Sequence, residues 1–331
     1  MVGNPIIKKY LAIGIILLFV GVTIAPTIAQ NTEKSQSTSR GNWLYVGGSG
    51  PGNYTKIQDA IDNSSNGDTV FVFDDLSPYY ENICINKEIK LIGEDKNSTT
   101  IDGRKVYPVV RITANYSSIE QFTLRNTSVE WQEAIKIGSF HDVLVRNNII
   151  KDCYLGIDCR GSFCEISYNL LQVIENGIIS KSTSNLFIHH NVFQGASMRG
   201  LYLFSTNCII ANNVFNDSRK AIDFWACFRN KIYDNKFLNN IEGIHLEISF
   251  FNFFYCNSFI GNDIDAYFTS ILPFPTYNRW ARNYWDDLGV LHVKRIPGNT
   301  IIPIPTEGIL INRSNFDWRP AKEPYDIREM R

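Results

Sequence analysis

Six asparagines, Asn148, Asn169, Asn191, Asn213, Asn235 and Asn257, recur through the middle of this chain at gaps of 21, 22, 22, 22 and 22 residues. An apolar residue stands three positions before each (Val145, Ile166, Ile188, Ile210, Ile232, Phe254). Another stands two positions after (Ile150, Leu171, Phe193, Phe215, Phe237, Phe259). A small residue followed by an aliphatic marks a second phase, as in Gly156-Ile157, Gly177-Ile178, Gly200-Leu201, Ala221-Ile222 and Gly243-Ile244. Self-similarity at this period means a solenoid, whose units bury their apolar side only by stacking on their neighbours. Stacked asparagine amides would satisfy one another and the backbone of the turn, a structural role.

Two solenoids compete for this period. Leu186–Phe193 fits the leucine-rich template L-x-L-x-x-N-x-L. The remainder of each repeat lacks a leucine-rich helix, and Asn216–Cys227 reads as a polar turn followed by an alternating strand. Period-two alternation at two places per repeat means more than one strand per coil, so the sequence predicts an all-β parallel β-helix of about nine coils over residues 42–287. Thr55-Lys56-Ile57-Gln58 has capping-box spacing, which predicts a cap helix over 55–66 whose Ile57, Ala60 and Ile61 plug the open end. Strands follow at Thr69–Phe73, Ile83–Ile85, Ile89–Ile92 and Val109–Ile112. The regular repeats run from about Ile119 to Ala266. Tyr267–Arg331 carries seven prolines and breaks the period, so 288–331 is expected to be an irregular C-terminal tail with a few edge strands.

Lys8 and Lys9 precede a 19-residue run without charge, Leu11–Ala29. That is the pattern of an export signal cleaved near Ala29, or of a retained anchor, with residues 30–41 as a linker. The expected location is extracellular or at the cell surface, with membrane contact only through that segment. Seven N-x-[ST] sequons (Asn53, Asn63, Asn97, Asn115, Asn126, Asn216, Asn312) suit an exported glycoprotein. Formal net charge is −1, with no basic stripe, which excludes a nucleic-acid partner. The seven cysteines are odd in number and form no C-x-x-C pair. Cys164 and Cys208 share a column with Val143 and Leu186, the place of a small buried hydrophobe.

Asn53–Ile61, Gly67–Val72 and Leu91–Lys96 together resemble the opening of NosD-like right-handed β-helix proteins, within the pectate-lyase-like superfamily of carbohydrate-binding proteins and sugar hydrolases. Asn283-Tyr284-Trp285-Asp286-Asp287 resembles the motif that closes the last coil in archaeal members. The resemblance covers about Asn42 to Asp287 and implies a right-handed parallel β-helix. On function it implies a choice among polysaccharide enzymes, surface proteins and an accessory factor for copper-enzyme maturation.

The strand after each small residue displays one outward column, Lys136, Asp158, Ile179, Tyr202, Asp223, His245 and Phe268. Two residues on comes a second, Gly138, Arg160, Lys181, Phe204, Trp225, Glu247 and Ser270. Rings beside carboxylates suit a glycan, and Trp225, Tyr202, Asp158, Arg160 and Lys181 are the candidate binding residues. Asp158 and Asp223 lie three coils apart, ~14 Å, too far to share one glycosidic bond. Asp223 and Glu247 lie diagonally about ~8 Å apart, inside the ~6.5–9.5 Å window of inverting glycosidases. Asp223, His245 and Glu247 are therefore the candidate catalytic residues. The expected function is an exported envelope protein that binds a glycan or serves as a structural surface, with a polysaccharide hydrolase or lyase as the alternative. A copper role ranks last. His189 and His190 are adjacent, so in a strand their side chains would face opposite ways, and only three Met and five His are present. No metal ligand or cofactor is expected, and Asp286 and Asp287 read as caps of the last coil.

Overall fold

The computed structural model of the protein describes residues 41–326 except 107, 128–131, 274–276, 291 and 304–307. The signal and linker expected over 1–41 lie almost wholly outside the described residues. What is described is a right-handed parallel β-helix of about eleven turns, two more than the asparagine column predicts. Each coil lays strands on three parallel columns. One runs from Trp43–Val46 to Arg279–Ala281, and a second from Thr100–Asp102 to Tyr284–Trp285. The third holds the longest strands, Asn176–Ser184, Arg199–Thr206, Lys220–Trp225, Glu242–Glu247 and Ile264–Ile271. No helix occurs within the described repeats, so the leucine-rich alternative falls.

The asparagines stack as the period requires. The side-chain amide nitrogen of Asn191 donates to the Asn213 carbonyl oxygen at 3.1 Å, and that of Asn213 to Asn235 at 3.0 Å. The same oxygens accept the backbone N–H of the preceding coil's asparagine, and the same nitrogens reach the backbone carbonyls of Ile166 and Ile188. Every residue of the column is fully buried. The column continues past Asn257 to Asn283, where the coil has 26 residues, and ends on the carboxylate of Asp317. Two further ladders, Asn230–Asn252–Asn278 and Asn240–Asn262, hold other corners. Behind the main ladder Phe193, Phe215, Phe237, Phe259 and Trp285 form one pile, with ring centroids 4.5, 5.2, 4.7 and 4.2 Å apart. The small-residue marker has a steric cause: a Cβ on Gly156 would sit 2.2 Å from the carbonyl oxygen of Gly177 in the next coil.

Two expectations about the ends are corrected. The cap helix is Ile57–Asn63, shorter than 55–66, and Thr55 and Gln58 form no capping box: the N-cap is Lys56, without a side-chain bond. Instead the Glu81 carboxylate accepts the N–H groups of Ile57 and Gln58 at 2.8 and 3.0 Å. Gln58 is spent on the backbone of Cys84, and Lys87 donates to the carbonyls of Ile61, Asp62 and Ser64. The buried face of Ile57, Ala60 and Ile61 is as expected. The C-terminal tail is regular rather than irregular: Lys294–Pro303 and Gly308–Asp317 form a long antiparallel hairpin. Its first strand adds a parallel rung to Ile264–Ile271 that starts at Gly298, so Pro297 removes no N–H from that ladder.

Asn213→Leu should leave the Asn191 backbone N–H without its acceptor and take one bond each from the Asn191 side-chain amide and the Ile188 carbonyl, at about 1–3 kcal/mol for the buried unsatisfied group. Lys181→Leu, on the exposed face, should cost under ~0.5 kcal/mol. Denaturant midpoints compare the two, and equal shifts would deny the ladder its role.

Candidate functional site

The long-strand column carries the predicted outward residues in register. Tyr202 pairs with Asp223, Asp223 with His245, and Trp225 with Glu247. The final coil corrects the sequence reading by one residue. His245 and Glu247 face Tyr267 and Thr269, while Phe268 and Ser270 point inward and are buried. The step from His245 is 22 residues, not 23. The hairpin extends this sheet sideways and does not roof it. Trp225 and Glu247 stay half-buried, with Trp225 against Ile248, Ile271 and Ile301 and edge-on to Phe204 at 4.8 Å.

Asp223 is the electrostatic centre of this face. Arg199 Nε donates to its Oδ2 at 2.6 Å, His245 Nδ1 lies 2.8 Å from its Oδ1, and Lys220 Nζ is 3.6 Å away. Lys220 also lies 2.7 Å from His245 Nδ1. One nitrogen holds one proton, so His245 either donates to Asp223 or accepts from Lys220. Burial would raise the Asp223 carboxyl, but the bonds from His245 and Arg199, with Lys220 nearby, outweigh it and hold it down to about 2. Around this centre the Arg199 guanidinium covers the Tyr202 ring at 4.6 Å, and His245 stacks on Tyr267 at 6.0 Å. Arg199, Lys220 and Tyr267 escaped the sequence reading. Arg199, Lys220 and Glu242 repeat at the coil period, but they precede the small residue and so lie outside the strand positions whose alternation was followed.

Asp158 and Arg160 pair with each other at 3.2 Å, three coils toward the N-terminus from Asp223, and Lys181 is exposed one coil nearer to it. The structure therefore does not bring them into one centre with His245 and Glu247. Two grooves lie elsewhere. One, of about 550 Å³, is lined by Lys105, Tyr154 and Gln194, and the other, of about 720 Å³, opens beside the hairpin.

His189 and His190 overturn their expected geometry. The strand ends at His189, His190 turns left-handed (φ 53), and the two Nδ1 atoms come within 2.8 Å. Glu165 lies 3.2 Å from His189 Nε2. Burial lowers the pKa of both imidazoles. Asp265, Asp286 and Asp287 cluster, but the Lys294 ammonium contacts Asp265 and Asp287, and Asp286 accepts the N–H of Gly261 as a cap. Of the cysteines, five are buried and all seven are free, and burial pushes the Cys153 and Cys208 thiols up to about 12.

Residues 61–290 match the family described as periplasmic copper-binding protein (NosD). The chain belongs to that family. No curated protein matches the sequence. Among solved structures, this NosD-family chain is similar to an alginate lyase from Paenibacillus sp. str. FPU-7, at 12% identity and TM-score 0.57, covering 72% of this chain and 95% of the lyase. It is also similar to the A-module of the Azotobacter vinelandii mannuronan C-5 epimerase AlgE4 (14%, TM-score 0.44, 69% and 90%). A third likeness is to PfbA, a surface adhesin of Streptococcus pneumoniae (12%, TM-score 0.40, 74% and 84%). At these identities the likeness shows the fold alone.

Because Asp223 is depressed on folding, its contribution is present above the ordinary carboxyl value of 3.8 and is lost as pH falls through about 2. Asp223→Asn should cost on the order of 2 kcal/mol at pH 7. The gap from wild type in urea midpoints should shrink between pH 4 and pH 2, and a gap that does not change with pH would count against the ion-paired centre.

Proposed function

We propose that this NosD-family chain is an exported envelope protein that binds a glycan along its long-strand face. The carrying observation is the strip formed by Tyr202 with Arg199, Phe204 with Trp225, and His245 with Tyr267, set around one buried, ion-paired carboxylate. Rings of this kind present apolar faces to sugar C–H groups, and the surrounding cations and imidazole donate to hydroxyls or carboxylates. Binding is favoured over hydrolysis because either role in an inverting pair needs a carboxyl group open to the sugar or its water, and Asp223 is buried with both oxygens taken by Arg199 and His245. In a hydrolase or lyase, Asp223 would orient His245 and Glu247 would face the reacting bond. Trp225→Ala should weaken glycan binding about threefold to tenfold, the size of one aromatic contact, and leave the chain folded. Incubation of the wild type with acidic polysaccharides should release neither reducing ends nor unsaturated products. Turnover that Asp223→Asn or Glu247→Gln abolishes without loss of affinity would make the chain an enzyme instead.

A second reading follows the family's description. Imidazole suits copper, and the Nδ1 atoms of His189 and His190 converge to 2.8 Å, with Glu165 placed to fix the outer nitrogen of His189. The buried Cys153 and Cys208, whose thiols are pushed up to about 12, and the Lys294-filled acidic cluster do not fit copper, so His189 and His190 would hold it. A bound copper ion would supply a one-electron couple. Electron paramagnetic resonance of the protein titrated with Cu(II) should show two coupled nitrogens, reduced to one in His190→Gln. A spectrum indifferent to that change would remove this reading.

A further inference from the structure

The hairpin that closes the described chain diverges from the last coil. Gly308–Asp317 meets Arg279–Ala281 at the single pair Trp280–Asp317, whereas the preceding rung pairs at three positions. The 720 Å³ groove opens where the two strands part. Arg279, Arg282 and Arg319 line it, all exposed, and none has a carboxylate within ion-pair distance among the described residues. On its hairpin side Phe316 and Trp318 pack together at 4.9 Å, yet Trp318 remains 68% exposed. The walls also hold two buried donors without acceptors, Trp280 Nε1 and Asn315 Nδ2. Three free guanidinium groups beside an exposed indole form a local positive, aromatic groove on a chain whose net charge is −1.

We propose that this groove binds an anionic polysaccharide, with Arg279, Arg282 and Arg319 taking its carboxylates and Trp318 stacking on a sugar ring. The guanidinium fork matches a carboxylate with two parallel hydrogen bonds. An open groove with cations on both walls suits a polymer whose acids repeat. A nucleic acid would want a basic stripe, which the sequence lacks. The proposal rests on the reading of the chain as a glycan binder but uses no residue of the long-strand face.

The test measures binding of polygalacturonate, and of its methyl-esterified form as the neutral control, to the full chain by affinity electrophoresis and by Trp fluorescence. Polygalacturonate should bind, and the ester should bind at least about tenfold more weakly. Trp318→Ala and the double variant Arg282→Ser/Arg319→Ser should each lose about tenfold, while Trp43→Ala, an exposed aromatic of the first coil, keeps wild-type affinity. All these positions are exposed, and circular dichroism confirms that each variant is folded. Equal affinity for the two polymers, unchanged affinity in Trp318→Ala, or equal competition by polyglutamate would overturn the proposal. Loss in Trp225→Ala alone would overturn the groove and leave the long-strand face standing. Absence of binding to any glycan would remove both.

Discussion

The buried amide ladder is the constraint from which the rest of this molecule follows. A corner asparagine can donate to the next amide only when the following coil brings its own asparagine to the same height and angle, about 4.8 Å away. The unsatisfied alternative costs more than any single surface contact returns. Coil length is thereby held at 21–22 residues through the middle of the chain. The 26-residue step to Asn283 keeps the same amide bond, and Asp317 closes the column where no further amide follows. The stacked rings from Phe193 to Trp285 lie just beyond the same corner and inherit its spacing.

Fixed coil spacing also builds the candidate site. Arg199, Asp223 and His245 come from three successive strands, and only the shared register puts their polar atoms within hydrogen-bond reach. The resulting centre is locked: Asp223 is buried, ionised and bonded on both oxygens. A carboxylate held this way organises its neighbours instead of exchanging protons near neutral pH. That is why the strip reads as a binding surface first. The C-terminal groove arises from the opposite circumstance, where register fails and the hairpin diverges from the last coil, leaving Arg279, Arg282 and Arg319 without a carboxylate partner among the described residues.

Much of this was legible in the residues. The Asn column, the small-residue marker and the inward aliphatics gave the solenoid, more than one strand per coil and the outward order of Tyr202, Asp223, His245, Trp225 and Glu247. What was missed shares a cause. Alternation describes a strand but not the bend before it, so Arg199 and Lys220, which complete the Asp223 centre, lay off the pattern followed. His190 turns at a left-handed residue, where the strand rule for facing side chains no longer applies. Phe268 was misplaced because the last coil was counted one residue long. The capping box at Thr55 was a local motif displaced by Glu81 from the next coil, a partner no short-range pattern contains. Prolines made the tail look irregular, although Pro297 pairs with Ser314 in the hairpin and falls just before the parallel rung that starts at Gly298.

Backbone hydrogen exchange, read residue by residue, tests the central claim most directly. The N–H groups of Asn169, Asn191, Asn213 and Asn235 each donate to the amide oxygen of the next coil. The account predicts that they exchange only with global unfolding, far more slowly than the exposed hairpin strand Gly308–Asp317. Exchange at these asparagines as fast as in that hairpin would contradict it, because the ladder would then open locally and could not set the register on which the site depends.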